Sequence, residues 1–269
     1  MLDLIFDMLP RRYIEEWKEF SPWQEDSQVE QDLIIEKAIL ELFSDEFLRE
    51  RLAFRGGTAL HKLYLKPQVR YSEDIDLVQI NPEPIKDTLT KIREQLDFLG
   101  KPSIRQATNN NIIVYRFESE IPPVIRMRLK IEINCREHFS VLGYKTYRQS
   151  IQNSWVNGSC ELVTFEAEEI LATKLRALYQ RRKGRDLYDL YSALTHLKLD
   201  IQSLVMCYKK YMAHSVNNPP TSKQFLQNME QKLLEPDFKG DIYGLLRPGI
   251  NYEQAEAFEL IKTEILEKL

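Results

Sequence analysis

Two aspartates spaced by one residue lie in the segment Arg70-Tyr71-Ser72-Glu73-Asp74-Ile75-Asp76-Leu77. On a β-strand a period of two places Asp74 and Asp76 on one face. Carboxylates so placed repel each other unless a cation lies between them, and hard oxygen donors of this kind suit Mg²⁺ or Mn²⁺ held beside substrate phosphates. Upstream stands Arg55-Gly56-Gly57-Thr58-Ala59-Leu60. A Gly-Gly turn that enters a helix offers backbone N–H groups and the positive end of a dipole, a seat for a triphosphate. The missing side chains let phosphates approach closely. Gly56, Gly57 and Thr58 are therefore candidate nucleotide-binding residues, joined by Ser72 on the expected face of Asp74. Either feature alone is common, Asp-x-Asp on solvated strand faces and Gly-Gly in ordinary turns. The order strand, Gly-Gly turn, helix, Asp-x-Asp strand is far more specific, because it would set a nucleotide seat beside metal ligands.

A two-metal transfer site gains from a third carboxylate on another strand. Glu132 is the candidate, in Arg128-Leu129-Lys130-Ile131-Glu132-Ile133-Asn134, where Arg128, Lys130, Glu132 and Asn134 alternate with Leu129, Ile131 and Ile133. The same alternation fits a paired polar face on an edge strand. Further on, Lys174 lies on a helix anchored by Ile170, Leu171, Leu175 and Leu178, either projecting toward a site or merely solvated. Asp186 either caps the helix that follows Gly184 or positions nearby Arg and Lys side chains. Between Lys174 and Arg185 the chain holds six basic residues and no acid. Within that run Arg181, Arg182, Lys183 and Arg185 form a candidate patch for the backbone of a polyanionic acceptor.

The elements that must position these groups follow from periodicity. Val29 to Phe43 reads as an amphipathic helix, Leu52 to Phe54 as a strand, and Thr58 to Leu65 as a helix. Tyr71 to Ile80 alternates as a half-buried strand, and Ile85 to Leu99 reads as a surface helix. Three more strands are expected around Ser103 to Ala107, Ile112 to Phe117 and Ile125 to Asn134, the first two joined by a hairpin turn at Asn109-Asn110. From about Phe165 the pattern is helical, with breaks at Asn217 to Pro220, at Pro236 and at Pro248-Gly249. The predicted class is α+β, a mixed sheet flanked by helices over residues 1–164 followed by a helical domain over residues 165–269.

Bulk properties narrow the function. With 43% hydrophobic and 29% charged residues and only 9 Gly and 12 Pro, the chain is neither disordered nor fibrous. No tract approaches the roughly 18 unbroken apolar residues of a membrane span. Asp3 and Asp7 stand where a signal peptide would be basic, so a cytoplasmic protein is expected. Cys135, Cys160 and Cys207 form no Cys-x-x-Cys pair and read as buried, reduced thiols. His61, His138, His196 and His214 show no metal-ligand spacing and receive no role. A formal net charge of -4 argues against a whole-surface grip on nucleic acid and leaves the local basic patch.

At the Gly-Gly-Thr-Ala-Leu turn (Gly56 to Leu60), the Ser-x-Asp-x-Asp strand (Ser72 to Asp76), the lysine-bearing helix (Lys174) and the Arg-Asp-x-Tyr-Asp segment (Arg185 to Asp189), the sequence resembles the AbiEii/AbiGii family of nucleotidyltransferase-like toxins. That family lies within the polymerase-beta-type nucleotidyltransferase superfamily. The likeness covers roughly Val29 to His196, with Gly57-Thr58 in place of the superfamily's Gly-Ser. It implies a nucleotidyltransferase-type mixed sheet with a helical C-terminal domain, and transfer of a nucleoside monophosphate from a nucleoside triphosphate with release of pyrophosphate. It further implies a toxin with a cognate antitoxin, acting on an RNA acceptor such as the 3′ end of transfer RNA. Asp74, Asp76, Lys174 and Asp186 would then be catalytic, and Glu132 would complete the metal shell or act as base. A small-molecule acceptor, or a nucleotide-binding module without turnover, are the competing readings.

Overall fold

The computed structural model describes residues 9–21, 23–107 and 109–269. Asp3 and Asp7 lie outside them. The elements run in the order α1 (Arg11–Trp17), α2 (Asp26–Ser44), α3 (Glu46–Arg49), β1 (Leu52–Arg55), α4 (Gly56–Ala59), β2 (Asp74–Gln79), α5 (Lys86–Gln95), β3 (Ser103–Ala107), β4 (Asn110–Glu118), β5 (Arg126–Asn134), β6 (Tyr144–Gln152) and β7 (Asn157–Phe165), then α6 (Ala167–Gln180), α7 (Gly184–His196), α8 (Ile201–Ser215), α9 (Ser222–Lys232), α10 (Pro236–Gly240) and α11 (Gln254–Glu264). Two compact units emerge. The first comprises Met1–Phe54, Tyr71–Phe139 and Thr146–Thr164, the second Arg55–Arg70, Ser140–Lys145 and Phe165–Leu269.

The first unit is built on a seven-stranded mixed sheet of order β3-β4-β5-β2-β1-β7-β6. β2 pairs with β5, and β1 with β7, in parallel; β3–β4 and β4–β5 are antiparallel. The hairpin expected about Asn109-Asn110 forms with Ala107 opposite Asn110. The alternation works as read along β5 and through Leu77 in β2, whose last residues Val78 and Gln79 are both buried. Ile75, Leu77, Leu129, Ile131 and Ile133 are buried, while Asp74, Asp76, Lys130 and Glu132 face out half-buried. α2 packs over β5, its start held by a capping box in which the Glu25 and Gln28 side chains each take the other's backbone N–H. Its buried Gln31 amide donates to the carbonyls of Glu73 and Arg128, 3.4 and 2.8 Å away, at the entries to β2 and β5. Buried Asp32 takes hydrogen bonds from Trp17 Nε1 and Ser21 Oγ, tying the α1 segment to α2.

Two strands were not legible in the sequence. β6 is largely polar and half exposed, and β7 buries Cys160, Leu162, Thr164 and Phe165 while its first three residues stay exposed or half-buried. Cys160 and Cys207 are buried as expected, but Cys135 is only half-buried; all three are free. No helix among the described residues is long and apolar enough to cross a membrane.

In the second unit α6 packs against α8, and α7 against α11. The segment Arg55–Arg70, which follows β1 directly, joins these helices through α4 and a π-helical turn, Leu60–Tyr64, that contacts α6. Glu169 at the start of α6 fixes Ser140–Lys145 to the same unit. Its fully buried carboxylate accepts from Ser140 Oγ, the Val141 and Leu142 backbone N–H groups and Tyr211 Oη.

Candidate functional site

In the first unit the chemistry lies on the outward face shared by β2 and β5. The parallel register sets Asp74 directly across from Lys130, and Asp76 directly across from Glu132. Lys130 Nζ lies 3.0 Å from Asp74 Oδ2 and 3.1 Å from Glu132 Oε2, so one ammonium bridges two carboxylates on neighbouring strands. Partial burial disfavours that ammonium, but Asp74 and Glu132 outweigh it and raise the Lys130 pKa. Asn110 on β4 donates to Glu132 Oε1 at 2.6 Å and fixes the carboxylate plane. β5 is an interior strand, between β4 and β2, so the edge-strand alternative for Glu132 is excluded.

Ser72 requires a correction. β2 begins only at Asp74, so Ser72 sits in the irregular approach, and the period-two argument that put it on the aspartate face does not reach it.

Does this donor set suit the divalent ion the sequence motif implies? Three carboxylates on adjacent strands, two of them directly opposed, are hard oxygen ligands whose mutual repulsion favours a cation. Among the described residues no three His, Cys, Asp or Glu side chains are gathered about one point, and Lys130 brings positive charge to Asp74 and Glu132. The chemistry of the set fits the ion.

In the second unit Gly56 opens α4 with φ 85°, a left-handed conformation that an L side chain would strain. Gly57 and Thr58 follow, both buried in the helix start. From the π-helical turn His61 reaches a charged cluster that is almost wholly withdrawn from water. Asp189 accepts from Arg70 Nε and Nη2 at 2.6 and 2.8 Å, from Lys174 Nζ at 2.9 Å and from His61 Nε2 at 2.8 Å. Asp186, one turn earlier on α7, takes Arg181 Nε and Nη2 at 2.6 and 2.8 Å and Lys174 Nζ at 3.3 Å. The Asp186 and Asp189 side chains are fully buried, and that of Lys174 is 7% exposed.

The electrostatics follow from that burial. Burial alone would raise the Asp189 pKa, but Arg70 and then Lys174 overcome it and hold the carboxyl well below its ordinary range. His61 is pulled down to about 4, first by burial and then by the Arg70 charge. It is therefore neutral near pH 7 and donates through Nε2 to Asp189, while its buried Nδ1 has no hydrogen-bond partner among the described residues.

Lys174 is thus neither a solvated helix lysine nor a loosely projecting one; two aspartates of α7 clamp its ammonium. Asp186 is not a helix cap. Lys183 occupies the N-cap position and Asp186 lies inside the first turn, with its carboxylate given to Lys174 and Arg181. α6 stops at Gln180, and Gly184 opens α7. A Cβ there would meet the Phe238 carbonyl oxygen at 2.0 Å, which explains the glycine.

The basic run without acids in sequence acquires them in space. Arg181 pairs with Asp186, Arg182 with Glu235 at 2.7 Å, and Lys183 and Arg185 with Asp241 at 3.1 and 3.7 Å. Of these, Arg182 at 69%, Arg181 at 49% and Lys183 at 47% exposed side-chain area keep the most contact with solvent.

Sequence reasoning missed His61, Arg70 and Asp189 as members of the cluster, and Lys130 as the cation of the carboxylate face. Lys130 could have been found, since it shares a strand face with Glu132 two residues away. His61 carried no signal, because its partner lies 128 positions along the chain.

Comparison with known proteins places these observations. Residues 38–260 match the family described as nucleotidyl transferase AbiEii toxin, type IV toxin–antitoxin system. Among solved structures the fold is similar to MenT4, a nucleotidyltransferase toxin of Mycobacterium tuberculosis, with a TM-score of 0.64 and 18% identity over 96% of this chain and 88% of that one. It is also similar to JHP933 of Helicobacter pylori, with a TM-score of 0.56 and 18% identity over 91% of this chain and 94% of that one. Comparison with curated proteins gives no significant sequence match.

Proposed function

The chain belongs to the AbiEii nucleotidyltransferase toxins of type IV toxin–antitoxin systems, and we propose that it transfers a nucleoside monophosphate from a nucleoside triphosphate to RNA, at the 3′ end of transfer RNA, with a divalent metal ion. Membership makes it a nucleotidyltransferase and implies a cognate antitoxin. The observation that carries the metal-dependent reading is the direct opposition of Asp76 and Glu132 across β2 and β5, with Asp74 beside them on the same face.

In this reading Asp74, Asp76 and Glu132 hold Mg²⁺ or Mn²⁺. The ion supplies charge neutralisation to the triphosphate when bound. Gly56, Gly57 and Thr58 seat the phosphates on backbone N–H groups, with Ser72 near the start of β2 as a further donor. Lys174, held by Asp186 and Asp189, offsets phosphate charge from a fixed position, so little reorganisation accompanies the reaction. Arg181, Arg182, Lys183 and Arg185 take the acceptor backbone, chiefly through the exposed Arg181, Arg182 and Lys183.

One observation favours a second reading, a small-molecule acceptor. Each cation of that patch has a carboxylate partner in Asp186, Glu235 or Asp241, which lowers the positive field available to a polyanion. One experiment separates the two. The protein is incubated with total RNA, Mg²⁺ and each labelled nucleoside triphosphate in turn, with Asp76→Ala as control. Label on RNA with the native protein alone is the expected result. Label on a small molecule and never on RNA would transfer the conclusion to the second reading, and label that persists in Asp76→Ala would overturn the role of the carboxylate face.

A further inference from the structure

Like charges directly opposite on neighbouring strands destabilise a sheet. A cation beside the opposed pair Asp76 and Glu132 offsets that cost, and the chain itself places one on Glu132 and Asp74, two residues from Glu132 on the same strand face. The Lys130 ammonium lies within 3.1 Å of both Asp74 and Glu132, and its side chain is only 28% exposed. Each contact is a charge-assisted hydrogen bond, stronger than its neutral counterpart. Asn110 on β4 fastens the other Glu132 oxygen, so the carboxylate is held toward the lysine and not free to swing away.

We propose that Lys130 is a resident counter-cation for Asp74 and Glu132 on the carboxylate face, placed where a divalent ion must contest it, so that the face admits the metal together with a triphosphate and discriminates against the bare ion. The inference rests on the proposed metal-binding role of Asp74, Asp76 and Glu132. A bare ion meets the repulsion of the ammonium and must break two charge-assisted hydrogen bonds to displace it. An ion that arrives on a triphosphate brings compensating negative charge, and the displaced ammonium then has phosphate oxygens as new partners. Lysine suits such an exchange, because its charge is a compact point on a flexible four-carbon stem.

The test is direct counting of bound Mn²⁺ by electron paramagnetic resonance, with and without a non-hydrolysable triphosphate analogue. The proteins are the native chain, Lys130→Met, Lys130→Gln and Lys130→Arg, with folding checked by circular dichroism. One adjoining unit charge shifts a charged equilibrium by roughly one to three powers of ten. Bare Mn²⁺ should therefore bind Lys130→Met and Lys130→Gln about tenfold or more tighter than the native chain, and Lys130→Arg no tighter. In the native chain the analogue should tighten Mn²⁺ binding by at least about tenfold. Neutral variants that bind bare Mn²⁺ no better than the native chain would overturn the inference, as would a native chain indifferent to the analogue. Asp74→Asn and Asp76→Asn separate the two levels. If they bind Mn²⁺ as the native chain does under both conditions, the metal is not at this face, and the metal-binding reading falls along with the role of Lys130.

Discussion

Substitution of Asp189 by Asn removes one negative charge from a site withdrawn from water. The Asp189 side chain is fully buried, and that of its chief partner Arg70 is 3% exposed, with two hydrogen bonds of 2.6 and 2.8 Å between them. Asn keeps the shape and one acceptor but supplies no charge, so the guanidinium loses its chief counter-charge out of water. Lys174 loses its 2.9 Å contact but retains Asp186, so most of the damage falls on Arg70. Breaking a buried pair from one side costs about 3–5 kcal/mol. That is a large part of the roughly 5–15 kcal/mol by which a folded domain exceeds its unfolded chain. The assay is urea unfolding followed by circular dichroism, read as a change in midpoint at constant slope. The double variant Asp189→Asn with Arg70→Met removes the stranded charge as well as its partner, and should recover at least about half of the loss, because an apolar replacement of a whole buried pair is often near neutral. A loss under about 1 kcal/mol in the single variant, or a double variant whose loss equals the sum of the singles, would refute the reasoning.

Two further outcomes follow from the same geometry. His61 titrates at about 4 in the folded chain and at 6.5 unfolded, so the unfolded chain takes up the proton first, and this residue costs stability as pH falls from 6.5 to about 4, by about 3 kcal/mol at full titration. The stability gap between the native chain and His61→Gln should therefore narrow across that window, and a gap independent of pH between 7 and 4 would contradict the buried neutral imidazole. Replacement of Arg182 and Lys183 together by Gln should weaken RNA binding and lower its salt dependence by about one charge for each lost phosphate contact, while triphosphate binding stays unchanged; an unaltered salt slope in filter binding would remove these residues from the acceptor surface.

Much of the fold was legible because its signals are local. The period of two in Asp74–Leu77 and Arg128–Asn134 placed Ile75, Leu77, Leu129, Ile131 and Ile133 in the core and the charged residues outside, as observed. The helices of the C-terminal half, the Asn109-Asn110 hairpin and the glycine at position 56 could also be read from spacing and residue type alone. β6 and β7 could not. Their strands carry few apolar residues in strict alternation, and they exist because β7 has β1 to pair with, Phe54 lying beside Thr164 110 residues further on.

The sequence by itself determined which residues carry charge, which faces of strands and helices they share, and that paired aspartates follow a Gly-Gly turn. Tertiary structure alone decided their partners, because an ion pair depends on distance in space and the pairs here close over long stretches of chain. Asp189 gathers Arg70 and His61 from 119 and 128 positions away, which turns a suspected helix cap region into the anchor of a buried cluster. The acid-free run from Lys174 to Arg185 is neutralised by Glu235 and Asp241, and the Asp74 and Glu132 carboxylates meet across Lys130 only because β2 and β5 pair in parallel with that one register. Slipping the register by one residue would turn every charge on one strand to the opposite face, and no local pattern in either strand fixes which partner it will find.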